Sequence, residues 1–156
     1  MGLRTAMLWV HALAGGAWVA AALSFVAAGL ALTAGSDEQR NFALRAAPRI
    51  AAFSAAAAVL VLAAGAFNFV LAGIARGFRF SSQFTLILSI KLALFVAMSI
   101  AAGWTLRSAV SFRASPEPMR REIAAKTMTG MVRANGAIAA MGAAALLLGL
   151  WLMGSA

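Results

Sequence analysis

The sequence has no cysteine, no tyrosine, one histidine and four acidic residues among its 156 positions. The absence of cysteine excludes disulfides, iron–sulfur clusters and thiolate metal sites. The four acids, Asp37, Glu38, Glu117 and Glu122, lie outside the long apolar runs, so those runs hold no carboxylate for acid–base chemistry. The sequence also lacks a Ser-His-Asp set, a P-loop and a zinc-ligand cluster, which leaves no familiar enzyme motif.

Apolar residues dominate what is present. They make up 63% of the chain, with a mean hydropathy of +0.92 and only 11% charged residues, whereas a soluble domain is roughly half apolar. These values predict a membrane protein. The net charge of +9 is spread between the apolar runs and forms no contiguous patch with aromatic residues. We therefore expect membrane lipids as partners and no nucleic acid.

Four apolar runs are each long enough to cross a bilayer, which takes about 20 residues. The third run is interrupted only by Lys91, and neither half of it can span alone. Lys91 must therefore lie within the membrane if this helix crosses. The short connections predict an all-α fold, a single four-helix transmembrane domain (1–156) with up-down-up-down order. The predicted helices cover about residues 5–34, 37–75, 82–107 and 116–153.

The basic residues are distributed unevenly between the connections, and cytoplasmic loops of membrane proteins are enriched in Lys and Arg. This bias predicts a multi-pass protein of the bacterial inner membrane with both termini outside, in the periplasm of a Gram-negative cell. Nine basic residues flank the first and third connections (Arg40, Arg45, Arg49, Arg107, Arg113, Arg120, Arg121, Lys126 and Arg133), and three lie on the opposite side (Arg4, Arg76 and Arg79).

Three predicted helices carry a polar residue at a similar depth. At 1.5 Å per residue from the helix ends, His11 and Asn68 lie about 9 Å and Lys91 roughly 12 Å from the predicted outer face. Polar side chains in lipid normally face the bundle interior, so this layer is a candidate site. Each residue also has an ordinary explanation: an interfacial histidine, a lysine that extends to the membrane surface, and an asparagine that joins two helices.

Glycines lie one helical turn from two of these polar residues. Gly15 follows His11 by one turn, and Gly65 precedes Asn68 by about one turn. Such small residues leave room either for a planar cofactor or for direct contact between helices, and both interpretations stay open.

Met7 and Trp18 are expected to share a helical face with His11, at spacings of four and seven residues. A thioether beside an imidazole suits Cu(I), and Met153 at the end of the fourth helix could join them. Ordinary packing explains these methionines as well, because Met fills irregular gaps in many cores.

Three short stretches in order resemble a known membrane family. In "HALAGGAWV", a histidine is followed seven residues later by a tryptophan, here His11 and Trp18. "LVLAAGAFNFVLAG" contains Gly-x-x-Asn, here Gly65 and Asn68, and "LILSIKLALFVAMSIAAGWTLR" carries Lys91. Over the first three predicted helices, this pattern resembles the CopD-type (copper-resistance protein D) family. The resemblance implies a role in moving copper across the inner membrane.

The sequence also departs from related patterns. In the CopD-type pattern a glycine pair follows the tryptophan, and Ala20 and Ala21 replace it here. The HemJ-type protoporphyrinogen oxidases, a similar four-helix family that binds b-type haem, share the His-to-Trp spacing and the lysine. Their fourth helix has Arg-x-x-Asn-Glu-x-Pro, whereas this chain has "RANGAI", with Arg133 and Asn135 one residue closer. This departure argues against the oxidase activity and leaves haem binding open.

From these observations we predict copper handling near the outer face, with His11 and Met7 as metal ligands and Asn68 and Lys91 beside them. A protonated lysine repels a cation and fits a haem propionate better. The alternative is therefore a haem b-binding redox protein with His11 as axial ligand and Gly15, Asn68 and Lys91 around the cofactor; only then do we expect an enzyme, a membrane oxidoreductase. A second alternative is a ligand-free structural subunit. We expect a homo-oligomer or a subunit of a larger membrane complex.

Overall fold

The computed structural model describes residues 2–34, 36–114 and 117–154, with some side chains near the helix ends left out. Within these ranges the chain is helical and contains no strand. The all-α bundle of four helices, each able to span a membrane, is confirmed. The helices are α1 (Leu3–Ala34), α2 (Asp37–Ala75), α3 (Ser82–Ala114) and α4 (Glu117–Gly154). The third helix extends past its predicted end near residue 107, because no proline or glycine follows before residue 114.

The turn between α2 and α3 has a well-defined hydrogen-bond pattern. Gly77 and Phe78 both adopt φ of 56°, the left-handed conformation that ends many helices. The Phe78 N–H donates to the Gly73 carbonyl over 2.8 Å, and the Phe78 ring covers Gly73 so closely that a Cβ there would collide with it. Ser81 then caps α3, because its Oγ accepts the Phe84 N–H at 3.2 Å.

The four helices are arranged in a square. Each helix packs against its neighbours in sequence, and α1 closes the square on α4. The described backbones of the diagonal pairs stay apart, and side chains such as Trp18 of α1 and Phe95 of α3 meet across the middle. We call the end that carries Leu3, 75–82 and Gly154 the His11 end. The opposite end, which carries Ala34, Asp37, Ala114 and Glu117, is the arginine-rich end.

The interior of the bundle is formed mainly by small residues with a few large ones between them. One buried cluster surrounds Trp18 and Ile138 in the middle of the bundle. A second cluster surrounds Phe25 and Met131 toward the arginine-rich end. Alanine fills most other buried positions, which allows the helix backbones to approach closely, as is common between membrane helices.

The outer surface of the bundle is strongly apolar. Leu13, Val59, Ile100 and Leu147 expose 66–68% of their surface, and only 11–33% of the most apolar window of each helix is buried inside the bundle. An apolar surface of this extent is suited to contact with lipid chains. The chain is therefore a multi-pass membrane protein, and the candidate site lies between its helices at the His11 end.

Candidate functional site between the helices at the His11 end

His11 points from α1 toward the backbone of α2. Its Nδ1 lies 3.1 Å from the Val61 carbonyl oxygen. Because a carbonyl can only accept, Nδ1 must carry the proton of this hydrogen bond. The other ring nitrogen, Nε2, then has its lone pair free in the neutral imidazole. A backbone carbonyl that orients a histidine in this way is typical of histidines that bind metals.

Gly65 on α2 provides the space for the His11 ring. A Cβ at this position would lie 3.0 Å from His11 Cε1 and 3.3 Å from Nδ1, closer than such atoms normally come. The sequence left open whether Gly65 makes room for a planar cofactor or for direct contact between helices. The structure supports direct contact, since the imidazole itself occupies the space beside the glycine. Gly65 acts by positioning His11.

Asn68 joins α2 to α1 one turn closer to the membrane surface. Its Nδ2 donates to the backbone carbonyl of Met7 over 3.0 Å. Its Oδ1 is buried and has no hydrogen-bond donor within the described part of the chain. The amide nitrogen of Asn68 therefore joins α1 and α2, as expected of an asparagine that links two helices. The amide oxygen remains available to a ligand or a water molecule.

Lys91 on α3 places its ammonium beside α4 at the same end of the bundle. A Cβ on Gly149 would lie 3.2 Å from Nζ, and Lys91 lies at about the same depth in α3 as His11 does in α1. Among the described residues, no carboxylate or hydrogen-bond acceptor pairs with it. Two of the four acids, Asp37 and Glu117, begin α2 and α4 at the arginine-rich end, the opposite end of the bundle from Lys91.

The other residues predicted at the site have simpler surroundings. Gly15 faces α4, where a Cβ would make ordinary contact at 3.9 Å with Leu146. Trp18 is only 1% exposed and packs edge-on against Phe95, with ring centroids 5.6 Å apart, so it belongs to the core. The side chain of Met7 is half-buried, and that of Met153 lies outside the described residues.

Arg133 and Asn135 lie away from His11, toward the arginine-rich end. Arg133 is exposed. Asn135 is 2% exposed, and its Nδ2 donates to the Met131 carbonyl at 2.8 Å and to Thr105 Oγ1 at 3.4 Å. This asparagine therefore links α4 to α3 in the core and has no contact with the candidate site.

The donor atoms restrict what the site can bind. The described residues contain no group of three or more His, Cys, Asp or Glu side chains that could enclose a metal ion. His11 is the only imidazole of the chain, so a soft metal ion bound there would need its remaining ligands from thioethers, from a macrocycle or from another chain.

Two contributors to the site were not predicted from the sequence. The Val61 carbonyl belongs to the backbone, which carries no sequence signal. Gly149 is one of 14 glycines, and nothing in its neighbours marks it as the residue beside Lys91. No protein family, curated protein or solved structure matches this chain, so the resemblance to the CopD-type family stays a prediction.

Proposed function

We propose that the chain is a membrane protein that binds haem b at the His11 end, with His11 as the axial ligand and Lys91 as the partner of a propionate. The observation that carries this proposal is the position of Lys91. Lys91 lies in the membrane-spanning part of α3 at the His11 end, its Nζ is beside Gly149 of α4, and it has no anionic partner among the described residues. Charged groups in membrane helices normally pair with another group, so a ligand that brings its own anion fits this position.

The donor set supports haem over a bare metal ion. One protein nitrogen is enough for haem, because the macrocycle supplies four more and many haem proteins use a single proximal histidine. Here the Val61 carbonyl holds Nδ1 and leaves Nε2 for the iron. A copper ion would need further protein ligands, and the Lys91 charge would oppose it.

Each residue of the site has a distinct part in this proposal. His11 provides the ligating nitrogen, and Gly65 allows its ring to approach α2. Asn68 holds α1 and α2 together and offers Oδ1 as an acceptor. Bound haem would supply one-electron redox chemistry, while the protein controls its orientation and its exposure to water.

One experiment distinguishes haem binding from the two other predictions made from the sequence. These are copper handling through His11 and Met7, which was the first prediction, and a ligand-free subunit. The protein is purified in mild detergent and examined by absorption spectroscopy and elemental analysis. A Soret band with stoichiometric iron supports haem. Stoichiometric copper without a Soret band supports copper, and Met7→Leu should then weaken binding. Protein that contains neither, even after incubation with haem or with Cu(I), supports the ligand-free structural subunit.

The orientation in the membrane is part of this proposal. The arginine-rich end lies in the cytoplasm of a bacterial cell, and the His11 end with both termini lies outside the inner membrane. A C-terminal fusion to an enzyme that is active only in the periplasm should therefore be active, and a cytosolic reporter should be silent. The reverse pattern would place the His11 end on the cytoplasmic side.

A further inference from the structure

A cleft opens on the outer surface of the bundle between α1 and α2, away from the His11 end. Its volume is about 480 Å³, within the ~300–1,000 Å³ of typical ligand clefts. α1 lines it with Ala17, Ala20 and Ser24, and α2 lines it with Arg49, Ile50 and Phe53. The cleft exists because small residues recur along this face of α1 while Phe53, 56% exposed, projects from α2.

The walls of the cleft are suited to hydrocarbon. The only polar side chain on its α1 side is Ser24, whose Oγ donates to the Ala20 carbonyl within the same helix at 2.8 Å. No hydrogen-bond donor on that wall is therefore left for a polar occupant. Ile50 and Phe53 complete the apolar lining of the cleft on the α2 side.

Arg49 supplies a positive charge at one end of this cleft. Its guanidinium is a planar cation, its side chain is exposed, and it has no ion pair within the described part of the chain. An occupant with an apolar body and an anionic group at one end would match both the cleft and Arg49. Arginine forms strong paired N–H hydrogen bonds to phosphate.

The depth of the residues agrees with such an occupant. A membrane-spanning segment of ~20 residues that ends at Ile74 begins near residue 54 of α2, where the hydrocarbon layer ends. Arg49 lies ~8 Å beyond this boundary, among the lipid headgroups. On α1, the same count from Thr5 ends near Ser24, and Ala17 lies about 10 Å deeper. The cleft thus runs from the level of the lipid headgroups into the acyl-chain region.

We propose that this cleft binds one anionic phospholipid, with the phosphate on Arg49 and an acyl chain along the face from Ala17 to Ser24. A second copy of the chain fits less well. It would bring a net charge of +9 and the same arginine-rich end against Arg49. A lipid neutralises this charge and is supplied by the membrane itself.

Lipid retention can be measured by native mass spectrometry of the full-length protein. The protein is released from nanodiscs that contain equal amounts of phosphatidylglycerol and phosphatidylcholine. The parent protein should keep one phosphatidylglycerol. Arg49→Gln should lower its preference over phosphatidylcholine by about fivefold, the effect of one basic residue at a membrane surface. Arg45→Gln is the matched control, because Arg45 is exposed on the same helix but does not line the cleft.

A second variant tests whether the cleft holds the acyl chain. Ala20→Leu fills the cleft and should abolish retention of both lipids, whereas Ala97→Leu, at an exposed position on α3, should leave it unchanged. Circular dichroism verifies the helix content of every variant. Equal phosphatidylglycerol retention in the parent, Arg49→Gln and Ala20→Leu would overturn the proposal. So would a lipid-free dimer that Ala20→Leu dissociates, or binding of glycerol phosphate as tight as that of the whole lipid.

Discussion

Toward the arginine-rich end of the bundle, the buried Asn135 is hydrogen-bonded to the Met131 carbonyl and to Thr105, whereas at the His11 end Asn68 Oδ1 and Lys91 Nζ have no partner among the described residues. Both regions lie within helices that can span the membrane, and both join neighbouring helices. The amide of Asn135 bonds within the bundle, whereas the His11 end leaves polar groups without a partner in the described part of the chain.

Charge makes this contrast more than a difference in packing. Trp18 Nε1, Ser54 Oγ and Ser99 Oγ also lack a partner in the described part of the bundle. These groups are neutral, and burying a neutral polar group costs much less than burying an ion. An unpaired ammonium is the more costly feature, which is why our proposal of a ligand rests on Lys91 rather than on the asparagine or the serines.

The largest effect is expected from His11→Ala. This variant removes the only imidazole, so the purified protein should lose its bound haem or metal completely while it stays folded and monodisperse. Absorption spectra and elemental analysis give the content. Leu13→Ala, at a lipid-facing position on the same helix, serves as the control. Folded His11→Ala protein with the ligand content of the parent would make His11 an interfacial residue.

Lys91→Met should have the next largest effect. A hydrogen bond to a charged group contributes about 1.5–3 kcal/mol, so affinity for haem should fall roughly 10- to 100-fold. The ligand-free protein should be equally or more stable to heating, because no ammonium remains in the membrane. Arg79→Gln removes an exposed cation at the same end and should change neither quantity. Unchanged affinity in Lys91→Met would separate this residue from the site.

Gly65→Ala tests the positioning of the imidazole and should have a smaller effect. The new methyl group must displace the His11 ring, whose Cε1 would be 3.0 Å away. Changes in groups that orient a metal ligand typically cost ~10–100-fold in affinity, and we expect the lower limit of this range in a haem titration. Gly16→Ala is the control, since a Cβ at Gly16 meets nothing within 4 Å. Equal losses in both variants would indicate a general effect on α1 and α2 rather than on His11.

Asn135→Ala should change stability and leave the ligand in place. Hydrogen bonds between membrane helices contribute about 0.6 kcal/mol on average and up to ~1.7, so the melting temperature in detergent should fall slightly. Haem or metal content per folded protein should equal that of the parent. A loss of ligand comparable to that of Lys91→Met would extend the site to the arginine-rich end and remove the contrast between the two regions.

Much of the site's general location follows from counting residues along the chain. The rise of a helix is constant, so equal distances from the helix ends place His11, Asn68 and Lys91 in one layer. The direction of each side chain is harder to predict, because it depends on how the helices are rotated against each other. Gly65 and Asn68 are three residues apart, yet one contacts a ring and the other a backbone carbonyl of α1.

The number of helices, their membrane character and the depth of each polar residue follow from the sequence, because hydrophobicity and helix geometry act locally along the chain. Three contacts became visible only in the folded bundle: the Val61 carbonyl orients His11, the imidazole occupies the space beside Gly65, and Gly149 lies next to Lys91. These contacts join residues on different helices. They depend on which faces the four helices turn toward one another, and that choice is made by the packing of the whole bundle.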